Sequence, residues 1–149
     1  MSITYYTKEG KFEANGRFEI PYYKLHRENG PAITYSDGLA VWCINGKRHR
    51  TNGPAVICNN GDKEWWQYGK LHRKNGPACI DSKIGLVGWY INGKRHRLNG
   101  PAVEFSNRIN IWYVNDKKLN TKKVETWIKS NNINLKTKQH QVLFMVMFG

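Results

Sequence analysis

His49-Arg50-Thr51-Asn52-Gly53-Pro54-Ala55 decides how this chain folds, because the phrase is written four times. It returns as His26-Arg27-Glu28-Asn29-Gly30-Pro31-Ala32, His72-Arg73-Lys74-Asn75-Gly76-Pro77-Ala78 and His96-Arg97-Leu98-Asn99-Gly100-Pro101-Ala102. From one histidine to the next the steps are 23, 23 and 24. Trp42, Trp65, Trp89 and Trp112 keep the same beat with steps of 23, 24 and 23, so two columns run in phase. Self-similarity at a fixed period of this size is the signature of a repeat architecture. Both columns place the one extra residue between His72 and Trp89, and a turn near Asp81-Ser82-Lys83-Ile84 is expected to absorb it.

Outward from the phrase, the local chemistry is that of a hairpin. Trp89-Tyr90-Ile91 runs into Asn92-Gly93, and Asn-Gly favours a tight turn because both positions tolerate positive φ. The chain returns through Lys94-Arg95-His96-Arg97 and continues as Ala102-Val103-Glu104-Phe105. Pro lacks an N–H and Gly packs poorly in a strand, so the Gly-Pro step predicts a bulge or bend in that return strand. Second turns at Asp37-Gly38 and Asn60-Gly61 lead to the next unit. Strands joined only by tight turns must pair antiparallel. The expected fold is mainly β: an elongated single antiparallel sheet of about four to five hairpin units of 23–24 residues.

The two-residue period of a strand assigns the faces. Trp42, Trp65, Trp89 and Trp112 share one face with Ile44, Gln67, Ile91 and Val114, while Cys43, Trp66, Tyr90 and Tyr113 take the other. Ile33, Val56, Cys79 and Val103 fill one apolar column on the return strand.

The ends differ from the middle. Residues 1–24 lack the Trp and the Asn-Gly turn and read as a partial unit. After Trp112-Tyr113-Val114 the phase dissolves at Leu119, which stands where a histidine would. Thr121 is expected to cap a short helix with Val124, Trp127 and Ile128 on one stripe, folding over the last hairpin. Leu135 to Phe148 is expected to form a second helix. The chain thus divides into a hairpin array, 1–120 with core repeats at 20–118, and a helical capping segment, 121–149.

Lys and Arg number 24 against 11 acids, a net charge of +13 that favours anionic partners. Cys43, Cys58 and Cys79 are odd in number and show no CxxC spacing, which reads as reduced thiols of an intracellular, cytoplasmic protein. The start, Met1-Ser2-Ile3-Thr4-Tyr5-Tyr6, has no basic segment followed by an apolar stretch, so no signal peptide is expected. The longest apolar run, Val142 to Phe148, is too short to cross a bilayer, which argues against a membrane partner.

With Tyr90-Ile91-Asn92-Gly93-Lys94-Arg95-His96 followed by Gly100 and a short apolar strand, the unit resembles the MORN repeat. The fuller phrase is similar to MORN-variant repeat proteins of large DNA viruses and tailed bacteriophages. The resemblance covers roughly residues 20–118 and implies an elongated, curved sheet with a scaffolding or binding role, in a viral or phage setting where the partner would be a host or defence protein. This chain departs from the family by carrying Arg-x-Asn-Gly-Pro where MORN copies carry glycines.

The repeated polar residues raise the question of chemistry. Like residues in neighbouring hairpins lie about 9–10 Å apart, twice the strand spacing, so His26, His49, His72 and His96 cannot share a zinc ion, whose ligands sit about 2 Å away. A structural role is expected for them and for Trp65, Trp89 and Trp112, with no metal. Arg27, Arg50, Arg73 and Arg97 form a basic stripe with Arg48 and Arg95. Two outcomes are open for it: each guanidinium lies across an aromatic ring, or the stripe binds phosphates or carboxylates. Lys47, Lys70, Lys94 and Lys117 follow the turns and read as solvated residues that make one edge basic. The acids Glu19, Asp37, Asp62, Glu64, Asp81, Glu104 and Glu125 form no recurring pair and accompany no nucleophile, so no catalytic residue and no cofactor is expected.

These features predict a non-enzymatic binding or scaffold protein that presents an aromatic and basic sheet face to a protein partner, with Trp42, Trp66, Tyr90 and Tyr113 as anchors. The alternative is a nucleic-acid binder that uses the Arg/Lys stripe and stacking on Trp and Tyr. Val142 to Phe148 further predicts self-association.

Overall fold

A computed structural model describes residues 2–15 and 21–149. Glu19 and Ile20, the latter being the start assigned to the repeat core, lie outside the described residues. The first hairpin pairs β1 (Ser2–Thr7) with β2 (Gly10–Asn15). Four units of four short strands follow. They are β3 (Ile33–Tyr35), β4 (Ala40–Val41), β5 (Cys43–Ile44) and β6 (Lys47–Arg48); then β7 (Val56–Ile57), β8 (Lys63–Glu64), β9 (Trp66–Gln67) and β10 (Lys70–Leu71). The third unit holds β11 (Cys79–Asp81), β12 (Leu86–Gly88), β13 (Tyr90–Ile91) and β14 (Lys94–Arg95). The fourth holds β15 (Val103–Phe105), β16 (Asn110–Ile111), β17 (Tyr113–Val114) and β18 (Lys117–Lys118). Two helices close the chain, α1 (Thr121–Ser130) and α2 (Lys138–Phe148).

The protein is therefore mainly β, with a ten-stranded antiparallel sheet ordered β16-β15-β12-β11-β8-β7-β4-β3-β1-β2. One lateral row crosses all ten strands as Phe12, Tyr5, Ile33, Val41, Val56, Glu64, Cys79, Gly88, Val103 and Ile111. The predicted apolar column Ile33, Val56, Cys79 and Val103 is contained in it. Partners across the within-unit turn are eight residues apart in Ile33–Val41, Val56–Glu64 and Val103–Ile111, but nine in Cys79–Gly88. The extra residue sits in that turn, where Asp81 Oδ1 accepts the N–H groups of Lys83 and Ile84.

Each unit makes two hairpins, and here the structure goes beyond the sequence reading. The second hairpins, β5–β6, β9–β10, β13–β14 and β17–β18, are separate two-stranded ladders beside the large sheet. Gly-Pro is not a bulge in a continuous return strand. The strand stops at Arg48, Leu71 and Arg95, and pairing resumes only at Val56, Cys79 and Val103. Within the loop, Gly30 and Gly76 hold φ of +151° and +141°, values L side chains rarely adopt.

The alanine that ends each loop joins the two ladders. Ala32, Ala55, Ala78 and Ala102 are all 0% exposed. Their N–H groups donate to Val41, Glu64, Gly88 and Ile111 carbonyls, while the Ala55, Ala78 and Ala102 carbonyls accept from Trp42, Trp65 and Trp89. Neighbouring second hairpins are linked too, because Arg27, Arg50, Arg73 and Arg97 donate their backbone N–H to Cys43, Trp66, Tyr90 and Tyr113 of the following unit.

The helices pack on the last unit, where Trp112, Val114, Leu119, Val124, Leu135 and Phe144 form one buried cluster. The cap of α1 is Asn120 rather than Thr121: Asn120 Oδ1 accepts from Lys123 N–H at 2.9 Å. Both residue types cap well, and Leu119 pairing with Trp112 holds Asn120 in extended backbone just outside the helix. Among the described residues, no helix is long and apolar enough to cross a membrane.

Candidate functional site

The repeated phrase builds one local device. Arg50 turns back so that its guanidinium carbon lies 4.0 Å from the Trp42 ring centroid, and its Nη1 donates to the Pro54 carbonyl at 3.1 Å. Arg73 does the same over Trp65 and to Pro77, and Arg97 over Trp89 and to Pro101. Arg27 covers Tyr6 at 3.7 Å and donates to Pro31. Glycine suits the loop for a second reason: a Cβ on Gly30, Gly53, Gly76 or Gly100 would come within 2.8–3.2 Å of the guanidinium carbon and press it off its ring. The arginine is thus held between an aromatic ring on one side and its own loop on the other. Of the two outcomes open from sequence, this geometry corresponds to the cation–π one.

The remaining stripe arginines are occupied as well. Arg48 meets Glu64 at 3.2 Å, and its guanidinium carbon is 5.0 Å from the Trp66 ring. Arg95 donates from Nε to Asp116 at 2.7 Å and lies 4.0 Å from the Tyr113 ring centroid. That hydrogen bond holds Asp116 below the usual carboxylate range. Arg97 also reaches Glu104 at 2.8 Å.

The histidines tie each unit to the next. Nδ1 of His26, His49, His72 and His96 accepts the backbone N–H of Asn45, Tyr68, Asn92 and Asn115, respectively. Each donor is the first residue of the following unit's turn, and all four hold φ near +50°. At His96 an accepting Nδ1 carries no proton, so the neutral ring makes that bond; at His72 the Asn92 Oδ1 also stands 2.8 Å from the same nitrogen. Burial pushes His96 below its ordinary pKa. Among the described residues, no three His, Cys, Asp or Glu side chains converge as metal ligands would. Burial also raises all three free thiols, Cys43 and Cys79 to about 11, and a protonated thiol is a poor nucleophile.

The four aromatic residues expected to anchor a partner do not share one open face. Trp42 stands in the guanidinium-covered column with Trp65 and Trp89. Trp66 donates Nε1–H to Glu64 at 2.8 Å, and the Tyr90 ring fills the space a side chain at Gly88 would need. Tyr113, at 8% exposure, is buried beneath Arg95 and is no surface anchor. Trp42 separates from the other three because it lies one residue out of phase with them, and a one-residue offset in a strand changes the face.

Two members of the aromatic column escaped the sequence reading. Tyr6 takes the tryptophan's place under Arg27, but it precedes that arginine by 21 residues instead of the 8 seen in the later units, so no period reveals it. Phe144 takes the arginine's place over Trp112, with ring centroids 5.6 Å apart, and comes from a different element altogether.

One basic column stays outside. Lys47, Lys70, Lys94 and Lys117 follow the turn of each second hairpin, Lys24 holds the matching sequence position at the end of a short 3-10 helix (Tyr22–Lys24), and all five are exposed. Lys117 Nζ donates to a Gly149 backbone oxygen at 3.1 Å. Among the described residues Lys24, Lys47, Lys70 and Lys94 form no ion pair. A second open feature is the outer face of α2, where Val142 is 62% and Val146 82% exposed beside Leu143 and Met147.

No family model, no curated protein and no solved structure matches this chain.

Proposed function

We propose that this chain is a non-enzymatic binding scaffold of the MORN-variant type, in which a stiff repeat array carries a helical cap that docks a protein partner. The observation that carries the reading is the uncovered apolar face of α2. Val142 and Val146 line a groove of about 480 Å³ together with Leu98, Met145, Gln141 and Lys138. An exposed apolar strip of this kind marks an interaction site on a soluble surface. Phe144 and Phe148 take no part, since they pack inward on Trp112 and Trp127.

Charge selects the occupant. The only ionisable group lining the groove is a lysine, and the whole chain carries +13. A second copy would bring an equal charge of the same sign, so an amphipathic segment with acidic flanks fits better than self-association. Support for a non-enzymatic role comes from the repeated phrase, whose arginine, histidine and proline groups are spent on contacts within and between units.

The test compares full-length protein with Val142→Glu/Val146→Glu, using stoichiometric capture of proteins from cells and sedimentation of the purified chain. The reading expects an acidic partner captured by the parent and lost from the variant, with the melting temperature unchanged. A purified chain that sediments as a dimer, and as a monomer after the substitutions, would replace the partner with a second copy. Capture that is identical for both proteins overturns the reading.

A further inference from the structure

We propose that the turn edge of the array is a track for single-stranded nucleic acid, with Lys24, Lys47, Lys70, Lys94 and Lys117 on the phosphates and Tyr23 and Tyr68 stacking bases. The inference is independent of the protein-docking reading and uses a different surface. It also replaces the arginine stripe first considered for such a partner, because those guanidinium groups are engaged.

The row is built rather than scattered. Turn residues Gly46, Gly69 and Gly93 donate their N–H to Leu25, Arg48 and Leu71 carbonyls of the preceding unit, which sets the turns side by side. A Cβ on Gly69 would touch the Lys47 Cβ and Cγ at 3.7 Å, and one on Gly93 would touch Lys70 in the same way. The Lys47 and Lys70 stems thus lie at contact distance over the next unit's turn, and both residues are exposed. Neighbouring units stand about 9–10 Å apart, so five lysines extend over roughly 40 Å; Asp116 takes the turn position between the last two, Lys94 and Lys117. The nearest acids stand at the ends. Glu9 adjoins Tyr23 and Lys24 at one end, and Asp116 at the other is taken by Arg95.

Exposed tyrosines favour a single strand over other polyanions. Tyr23 is 71% and Tyr68 65% exposed, and both flank lysines of the row. Tyr68 stacks on His49 with centroids 4.0 Å apart and planes 22° apart, which fixes one face of its ring and leaves the other open. Aromatic platforms interleaved with a basic groove bind single strands through base stacking and phosphate contacts. A duplex keeps its bases stacked on each other and offers nothing to those rings.

The test is fluorescence anisotropy of a labelled oligothymidylate of about 20 nucleotides, titrated from about 25 to about 200 mM salt. Variant K47Q/K70Q/K94Q is set against K122Q/K123Q/K129Q, which removes the same charge from the exposed surface of α1. The track predicts at least about tenfold weaker binding for the first variant at low salt. It also predicts a log–log salt slope smaller by about 2, near 0.7 per phosphate contact, with little change for the second. Y23S/Y68N, which places at 68 the Asn found at that turn position in other units, is expected to lose about tenfold while keeping the slope. Thermal melts confirm that each variant is folded. Absence of salt-sensitive binding by the parent, equal losses in both lysine variants, or duplex and heparin bound as tightly with no effect of the tyrosine changes would each overturn the proposal.

Discussion

Three of the four units pair a glycine in the Asn-Gly-Pro loop with a glycine in the turn of the second hairpin, Gly30 with Gly46, Gly53 with Gly69 and Gly76 with Gly93, and the two face opposite fates. In the Asn-Gly-Pro loop the missing Cβ makes room for the guanidinium of an arginine three residues back, which is drawn inward against an aromatic ring. In the turn of the second hairpin Gly69 and Gly93 lie under the stems of the preceding unit's Lys47 and Lys70 at ordinary contact distance, and those lysines are exposed. Two cations thus occur once per repeat and differ in what they can do. The arginine is spent on the array, and the lysine stays exposed. Formal charge alone would have merged them into one basic patch.

The cap offers the sharpest way to break the inner column. Phe144 is 0% exposed and covers Trp112, the one ladder tryptophan with no arginine of its own. Phe144→Ala is expected to cost about 3–5 kcal/mol, read as a lowered denaturant midpoint, because a large buried ring is removed. Gly76→Ala comes next. Its φ of +141° strains any L side chain, and the new methyl would press on Arg73; about 2–3 kcal/mol is expected from backbone strain with partial loss of the cation–π contact.

A third, smaller effect depends on pH. His96 binds its proton less readily in the folded chain than in the unfolded one. The unfolded state therefore takes up more protons below its ordinary value of about 6.5, so stability is fully present above that pH and falls as the pH drops through the folded value. Melts at about pH 7.5 and pH 5 should show this loss, and His96→Gln should reduce it. The smallest effect belongs to the outer column: K47Q/K70Q/K94Q should leave the melting temperature within about 1 °C, since exposed unpaired lysines contribute little.

Much of this was legible in the residues. The period, the antiparallel pairing, the apolar column from Ile33 to Val103, the site of the extra residue and the two terminal helices all follow from local pattern. What escaped has a common cause. Local chemistry marks a bulge or bend at Gly-Pro but not the depth of the break, where Arg50, Arg73 and Arg97 fold back onto rings eight residues earlier. The placing of the aromatic residues escapes the pattern for a related reason. Alternation assigns faces, yet it cannot tell that Tyr113 is covered by Arg95 or that Tyr90 occupies the space above Gly88. The outer lysines were visible in sequence, but their separation from the arginines became apparent only once each guanidinium had a partner.

The most direct test of this division is a paired melt of Arg73→Gln and Lys70→Gln, which remove one charge each from the inner and outer columns of the same unit. Loss of a ring contact and of the bond to Pro77 should cost Arg73→Gln about 1–2 kcal/mol, or several degrees in Tm, while Lys70→Gln stays within about 1 °C. Equal shifts for the two variants would contradict the account.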